Sequence, residues 1–113
     1  MAVQITKRTE GDVMIVSCEG SIALGATANQ FRAVLREVLT SGAKKLLLDL
    51  GGVNYVDSTG IGEMVGAFNL AMELGAGIKL VRVPRKVQTV LDVTRLSTVF
   101  ESLPTVEEAL GRF

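Results

Sequence analysis

The chain has 113 residues, 48 % of them AVILMFWYC and 21 % charged. That is the length of one domain and enough apolar content to bury a core, so multidomain and disordered readings are excluded. Twelve Lys and Arg balance twelve Asp and Glu, and without a surplus of cations there is little to attract DNA, RNA or an acidic membrane. His is absent, which removes histidine triads, histidine general bases and histidine zinc sites from the inventory, and no catalytic or metal-ligating residue is expected.

In chain order, Val3 and Ile5 alternate with Gln4 and Thr6, and Glu10-Gly11-Asp12 leads into Val13-Met14-Ile15-Val16, the pattern of a β-hairpin. The single Cys18 ends this apolar run and is expected to be a small buried side chain in a reducing compartment. The strand is expected to end at Gly20. Phe31, Val34, Leu35, Val38 and Leu39 then form one helical stripe, with Gly42 as its stop.

Leu46-Leu47-Leu48-Asp49-Leu50 has the near-continuous apolar character of a strand covered on both faces. Gly51-Gly52 is expected to break it, leaving Val53-Asn54-Tyr55-Val56 irregular. A second helical stripe follows at Ile61, Met64, Val65, Phe68 and Met72, closed by Gly75 and Gly77. Residues 78–83 read as a strand, and Pro84 as the first residue of a third helix with Val87, Val90, Leu91 and Thr94 inward. Val99-Phe100 is expected as a short strand, and Thr105 with Glu108 as the capping box of a last helix that packs Leu110 and Phe113 inward.

Helices between later strands imply right-handed crossovers and parallel pairing. The expected class is therefore α/β, a mixed sheet of four or five strands with helices mainly over one face. The N-terminus, Met1-Ala2-Val3-Gln4-Ile5-Thr6-Lys7, lacks a basic segment followed by an apolar stretch, and no apolar run approaches the ~20 residues of a membrane span. A cytoplasmic protein is expected.

Two glycine patterns imitate nucleotide-binding motifs. Gly20-Ser21-Ile22-Ala23-Leu24-Gly25-Ala26-Thr27 has the glycine spacing of a phosphate-binding loop, but Ala26 stands where the phosphate-reaching Lys belongs. Gly60, Gly62 and Gly66 miss the dinucleotide fingerprint by one residue. A small nucleotide-binding protein is thus a minor reading.

Asp57-Ser58-Thr59-Gly60-Ile61-Gly62 lies where the second helix begins. Three short polar side chains make an ordinary helix cap. The same place, with its free NH groups and the positive end of the helix dipole, also tolerates a phosphate. A phosphate on Ser58 adds about −1.5 to −2 charge units to a small, nearly neutral exterior. Gly62, Gly66 and Asn69 are expected on the outward face, opposite Met64, Phe68 and Met72.

With residues 46–50, Gly51 and the Asp57 to Gly62 motif in hand, the chain resembles the STAS family, the bacterial anti-sigma factor antagonists, over nearly its whole length. The resemblance implies a regulatory binding protein, not an enzyme, with no cofactor. Its partner would be a GHKL-type serine-kinase anti-sigma factor, whose binding frees the sigma factor. By position, Ser58 would be the serine that the kinase phosphorylates to switch the antagonist off, and a phosphatase would reset it. Asp57 would shape the motif's entry, and Thr59, Gly60 and Gly62 would set the helix start. The surface expected to meet the partner comprises Ser58, Ile61, Gly62, Gly66 and Asn69, on a monomer or weak homodimer. Familiar antagonists carry an Asp shortly after the glycine ending the second strand. The uncharged loop 20–25 departs from this, so the resemblance does not extend to nucleotide contacts through that loop, and a variant with a different partner is a further reading.

The apolar content also fits a structural STAS subunit of a larger signalling assembly. Lys79, Arg82, Arg85 and Lys86 form a basic cluster read as a solvated edge, with a docking site for an acidic surface as the minority reading. Asp49 is read as a carboxylate bonded to backbone NH groups, with no functional role.

Overall fold

The computed structural model describes residues 3–113. Val3–Glu10 (β1) and Val13–Ile22 (β2) pair antiparallel, with Glu10 opposite Val13. Gly11, at the first central position of the two-residue turn between them, takes φ 62°, a backbone that glycine adopts without a Cβ clash. The strand does not stop at Gly20 as expected: Gly20 and Ser21 remain paired with the next strand, so β2 runs on to Ile22.

The remaining elements are Ala26–Thr40 (α1), Lys45–Val56 (β3), Ser58–Leu74 (α2), Gly77–Val81 (β4), Arg85–Val93 (α3), Glu101–Leu103 (β5) and Val106–Leu110 (α4). The sheet order is β1-β2-β3-β4-β5, antiparallel at β1/β2 and parallel elsewhere. Strand alternation divides the apolar side chains between two cores. On one face, Val16, Cys18, Leu46, Leu48, Leu50 and Leu80 pack with Phe31 and Leu35 of α1, Met64 and Ala71 of α2, and Val87 and Leu91 of α3. On the other, Val13, Ile15, Leu47 and Val81 pack with Leu103 and Ala109, so α4 alone covers that side, with Leu110 and Phe113 against it. The α/β class and the placement of helices mainly over one face thus agree with the sequence pattern.

Several further boundaries differ from expectation. Gly51-Gly52 does not break β3, which continues for twelve residues to Val56. These glycines serve close approach: a Cβ at Gly51 would lie 2.6 Å from the Arg82 guanidinium carbon, and one at Gly52 would lie 3.1 Å from the Cys18 carbonyl oxygen. Register against β2 slips twice, from Ser17↔Asp49 to Glu19↔Gly52 and from Gly20↔Val53 to Ser21↔Tyr55. Each slip adds one residue on β3, so its core-facing positions run Leu50, Val53, Val56 at intervals of three rather than two. That interruption of alternation is what made the segment read as irregular.

Residues 78–83 are not all strand either, because β4 ends at Val81 and Arg82 takes φ 52°. Pro84 caps α3 rather than beginning it, and Thr94, expected inward, is its exposed C-cap. Gly75 does end α2, at φ 71°, whereas Gly77 opens β4. In place of a strand at Val99-Phe100 there is a 3-10 turn, Leu96–Thr98, followed by the buried Phe100, whose ring meets Phe68 edge-on at 5.5 Å.

Candidate functional site

The two bulges carry β3 past its neighbours and deliver the chain to Asp57, the N-cap of α2. Its extended backbone (φ −96°, ψ −175°) turns the side chain back over the first turn, where Oδ1 accepts from the Gly60 NH at 2.9 Å. Oδ2 accepts from the Leu24 NH, also at 2.9 Å, which ties the β2–α1 loop to the helix start. These bonds hold the Asp57 carboxyl below the ordinary value of 3.8, the Gly60 NH contributing most and the Leu24 NH next. One of the helix-start NH groups that the sequence reading left free is therefore already taken by the motif's own Asp.

Ser58 is exposed at the first position of α2, and Thr59 is half-buried. Gly60 is buried, with Ile22 O, Val56 Cγ1 and Ile22 Cγ2 crowding the space a side chain would need. Here glycine is required by packing. Gly62 and Gly66, by contrast, have nothing within 4 Å of a would-be Cβ, and both are exposed, as is Asn69. At 100° per residue Ser58, Gly62 and Asn69 share one outward face, and Gly66 lies at its edge. Ser58 to Asn69 spans about 16 Å along the helix.

Ile61, expected among the partner-facing residues, is only 7 % exposed and belongs to the main core. It lies beneath the face rather than on it. Met72 makes the opposite correction: the stripe placed it inward, yet it is 65 % exposed, continuing the face beyond Asn69. α2 is apolar over so much of its circumference that periodicity alone could not say which apolar residues turn out.

The phosphate-loop lookalike is a self-braced turn. Thr27 Oγ1 donates to the Ala23 carbonyl at 2.9 Å and accepts from the Ala23 NH at 3.0 Å. Leu24 projects from this turn 80 % exposed, and Tyr55 stands 55 % exposed near it. They border an open depression of about 480 Å³ lined also by Ser21, Ala23, Ala26 and Thr27. The sequence reading passed over both side chains; the signal was a large apolar residue in a loop with no charge.

This arrangement of elements and motif is matched by known proteins. The STAS domain family model covers residues 4–109. The anti-sigma-B factor antagonist of Bacillus subtilis is 31 % identical over 98 residues, 84 % of each chain. The chain belongs to the STAS domain family, among the anti-sigma factor antagonists. A candidate anti-sigma factor antagonist from Thermotoga maritima superposes with a TM-score of 0.89 at 27 % identity, covering 96 % of this chain and 92 % of that one. The Bacillus cell fate determinant SpoIIAA in its phosphorylated form shares the fold at 19 % identity, with a TM-score of 0.73 and 98 % of each chain covered.

The other residues singled out from sequence have structural partners in this STAS fold. Asp49, 5 % exposed, accepts from the Gly51 NH at 2.9 Å and from Arg82 Nε at 3.0 Å. The basic cluster is dispersed: Lys79 bonds Glu101 and lies over the Phe113 ring, Arg82 pairs with Asp49, and Arg85 and Lys86 are exposed at the start of α3. Cys18 is buried, and desolvation, with the Asp49 charge second, pushes its thiol up to about 12. Among the described residues no group of His, Cys, Asp and Glu could hold a metal ion, and no helix is long and apolar enough to cross a membrane.

Proposed function

We propose that this STAS domain docks through its Ser58 face on a GHKL-type serine-kinase anti-sigma factor, freeing the sigma factor, and that phosphorylation of Ser58 by that kinase breaks the contact until a phosphatase restores it. The observation that carries this reading is an exposed serine at the first position of α2, on a face formed with the uncharged Gly62 and Asn69. Family membership and the anti-sigma factor antagonists among its relatives supply the partner class. A hydroxyl there adds little to the surface. A phosphate adds about −1.5 to −2 charge units and three acceptor oxygens, next to an Asp57 carboxylate already in place. The dianion is compatible with the helix dipole, so the domain keeps its fold while the partner is repelled.

The test is incubation with the kinase and ATP, followed by mapping of the modified residue and measurement of binding. Phosphate on Ser58 with loss of binding supports the reading. Phosphate elsewhere, or on Ser58 without loss of binding, refutes it. Ser58→Ala should bind persistently, and Ser58→Asp weakly, since a carboxylate brings a single charge and fewer acceptors than phosphate.

A second reading, a structural subunit of a larger STAS assembly, is favoured by Val93 and Val99, which are 78 % and 43 % exposed. Light scattering distinguishes the two: a monomer across a wide concentration range argues against the assembly.

A further inference from the structure

We infer that Leu24 is the apolar anchor of the docking surface, seated in an uncharged socket on the kinase that reads Ser58, and that Asp57 is the residue that positions it. The inference rests on the reading of Ser58 given above and adds the chemistry of the partner's surface to it. Among the described residues Leu24 is the most exposed of the large apolar side chains, at 80 %. Its backbone is held on both sides: Asp57 Oδ2 accepts from its NH, and the preceding Ala23 is bonded twice to Thr27 Oγ1. Gly25, which follows, takes φ 98°, where a side chain would be strained. The loop's conformational entropy is thus lost on folding rather than on binding, the condition under which a protruding side chain contributes most to affinity.

Charge identifies the occupant. Residues 20–31 contain no ionisable side chain, and both Asp57 oxygens are engaged by NH groups of the chain itself. A partner surface built on ion pairs finds only the Asp57 carboxylate here, already bonded to NH groups of the chain itself. What is offered is the Leu24 side chain, the Tyr55 ring and the small-residue depression between them. An apolar socket on a protein fits that set. The same carboxylate that holds Leu24 also caps the helix bearing Ser58, so anchor and hydroxyl share one rigid patch. A phosphate at Ser58 keeps water at the edge of the Leu24 contact, and an anchor that cannot be desolvated contributes little. One modification can therefore release the whole surface.

The probe is the GHKL-type kinase that phosphorylates Ser58, titrated against the unphosphorylated full chain. Leu24→Ala should weaken binding about 10- to 100-fold, from the area a buried leucine removes from water. Leu24→Met should stay within about threefold of the parent, and Leu24→Asp should bind more weakly than Leu24→Ala. Because Leu24 is exposed, all three should keep the parent's thermal midpoint. Asp57→Asn retains an acceptor for the Gly60 NH, and Asn is as good a cap as Asp, but it turns an NH2 group toward the Leu24 NH. It should weaken binding with little loss of stability, and combining it with Leu24→Ala should weaken binding no further than Leu24→Ala alone.

Binding of Leu24→Ala within twofold of the parent overturns the anchor and leaves the Ser58 reading intact. A parent chain that no such kinase binds overturns both. A self-association of the parent that disappears in Leu24→Ala overturns the socket, because the occupant would then be a second copy.

Discussion

Gly60 and Gly62 are two residues apart in the same motif, and the structure gives them opposite reasons for lacking a side chain. A methyl group at Gly60 would overlap the Ile22 carbonyl oxygen and stand 2.9 Å from Val56 Cγ1 and 3.0 Å from Ile22 Cγ2. That carbonyl cannot swing aside freely, since it accepts from the Asp57 NH at 3.3 Å. Overpacking of this kind costs about 1–3 kcal/mol. Loosening the Asp57 cap adds roughly 1 kcal/mol, and better helix propensity returns up to about 1 kcal/mol. Gly60→Ala should therefore be less stable by about 1–3 kcal/mol, a fall in Tm of about 4–8 °C per kcal/mol. Gly62→Ala meets open space and should gain up to about 1 kcal/mol. Urea titrations at constant slope measure both. A Gly60→Ala chain at least as stable as the parent, or a Gly62→Ala chain clearly less stable, refutes the packing argument and the view that Gly62 is glycine for reasons outside folding.

Three further outcomes follow from other parts of the fold. Arg82→Ala strips the buried Asp49 of its cationic partner and should cost about 1–3 kcal/mol; Gly51→Ala, which displaces the same guanidinium, should cost less in the Arg82→Ala background, and a double-mutant cycle reads the coupling. Phe31→Ala, in the fully buried centre of α1, should cost about 3–5 kcal/mol by chemical denaturation. Stability should decline at both ends of the pH scale. Asp57 is held low chiefly by the Gly60 NH and Glu101 chiefly by Lys79, so their contributions are complete above the ordinary values of 3.8 and 4.5 and vanish as pH falls through the lowered folded values. Cys18 runs the other way: its raised value makes a contribution that is complete below 9.0 and is lost as pH rises toward about 12. Denaturation curves that do not weaken below pH 4.5 would contradict the acid side, and a Cys18→Ala chain with an unchanged alkaline limb would contradict the other.

The hairpin, the α1 stripe and the apolar strand 46–50 were legible because each repeats at the period of its element and each repeat is local. So was the motif: Asp57 followed by two hydroxyl residues and Gly60 is a helix start whatever surrounds it. The errors have a shared cause. Gly51-Gly52 read as a break because the contacts met there, with Arg82 and with the Cys18 carbonyl, come from residues distant in the chain. Ile61, rightly placed in the inward stripe, was wrongly counted on the partner surface as well, and Met72 was placed inward because apolar residues occupy most of that helix; only the positions of α1, β3, β4 and Phe100 decide which of them are covered.

The order of residues by itself determined the class of fold, the place of Ser58 at the start of a helix and the family to which the chain belongs, since all three depend on patterns within short windows. Three-dimensional packing alone decided that Asp57 spans two elements, that Gly60 is fixed by Ile22 while Gly62 is open, and that Leu24 stands clear of the core. Hydrogen bonds and steric contacts between residues some thirty positions apart leave no periodicity in the chain. Such contacts become visible only when the sheet brings the ends of β2 and β3 side by side.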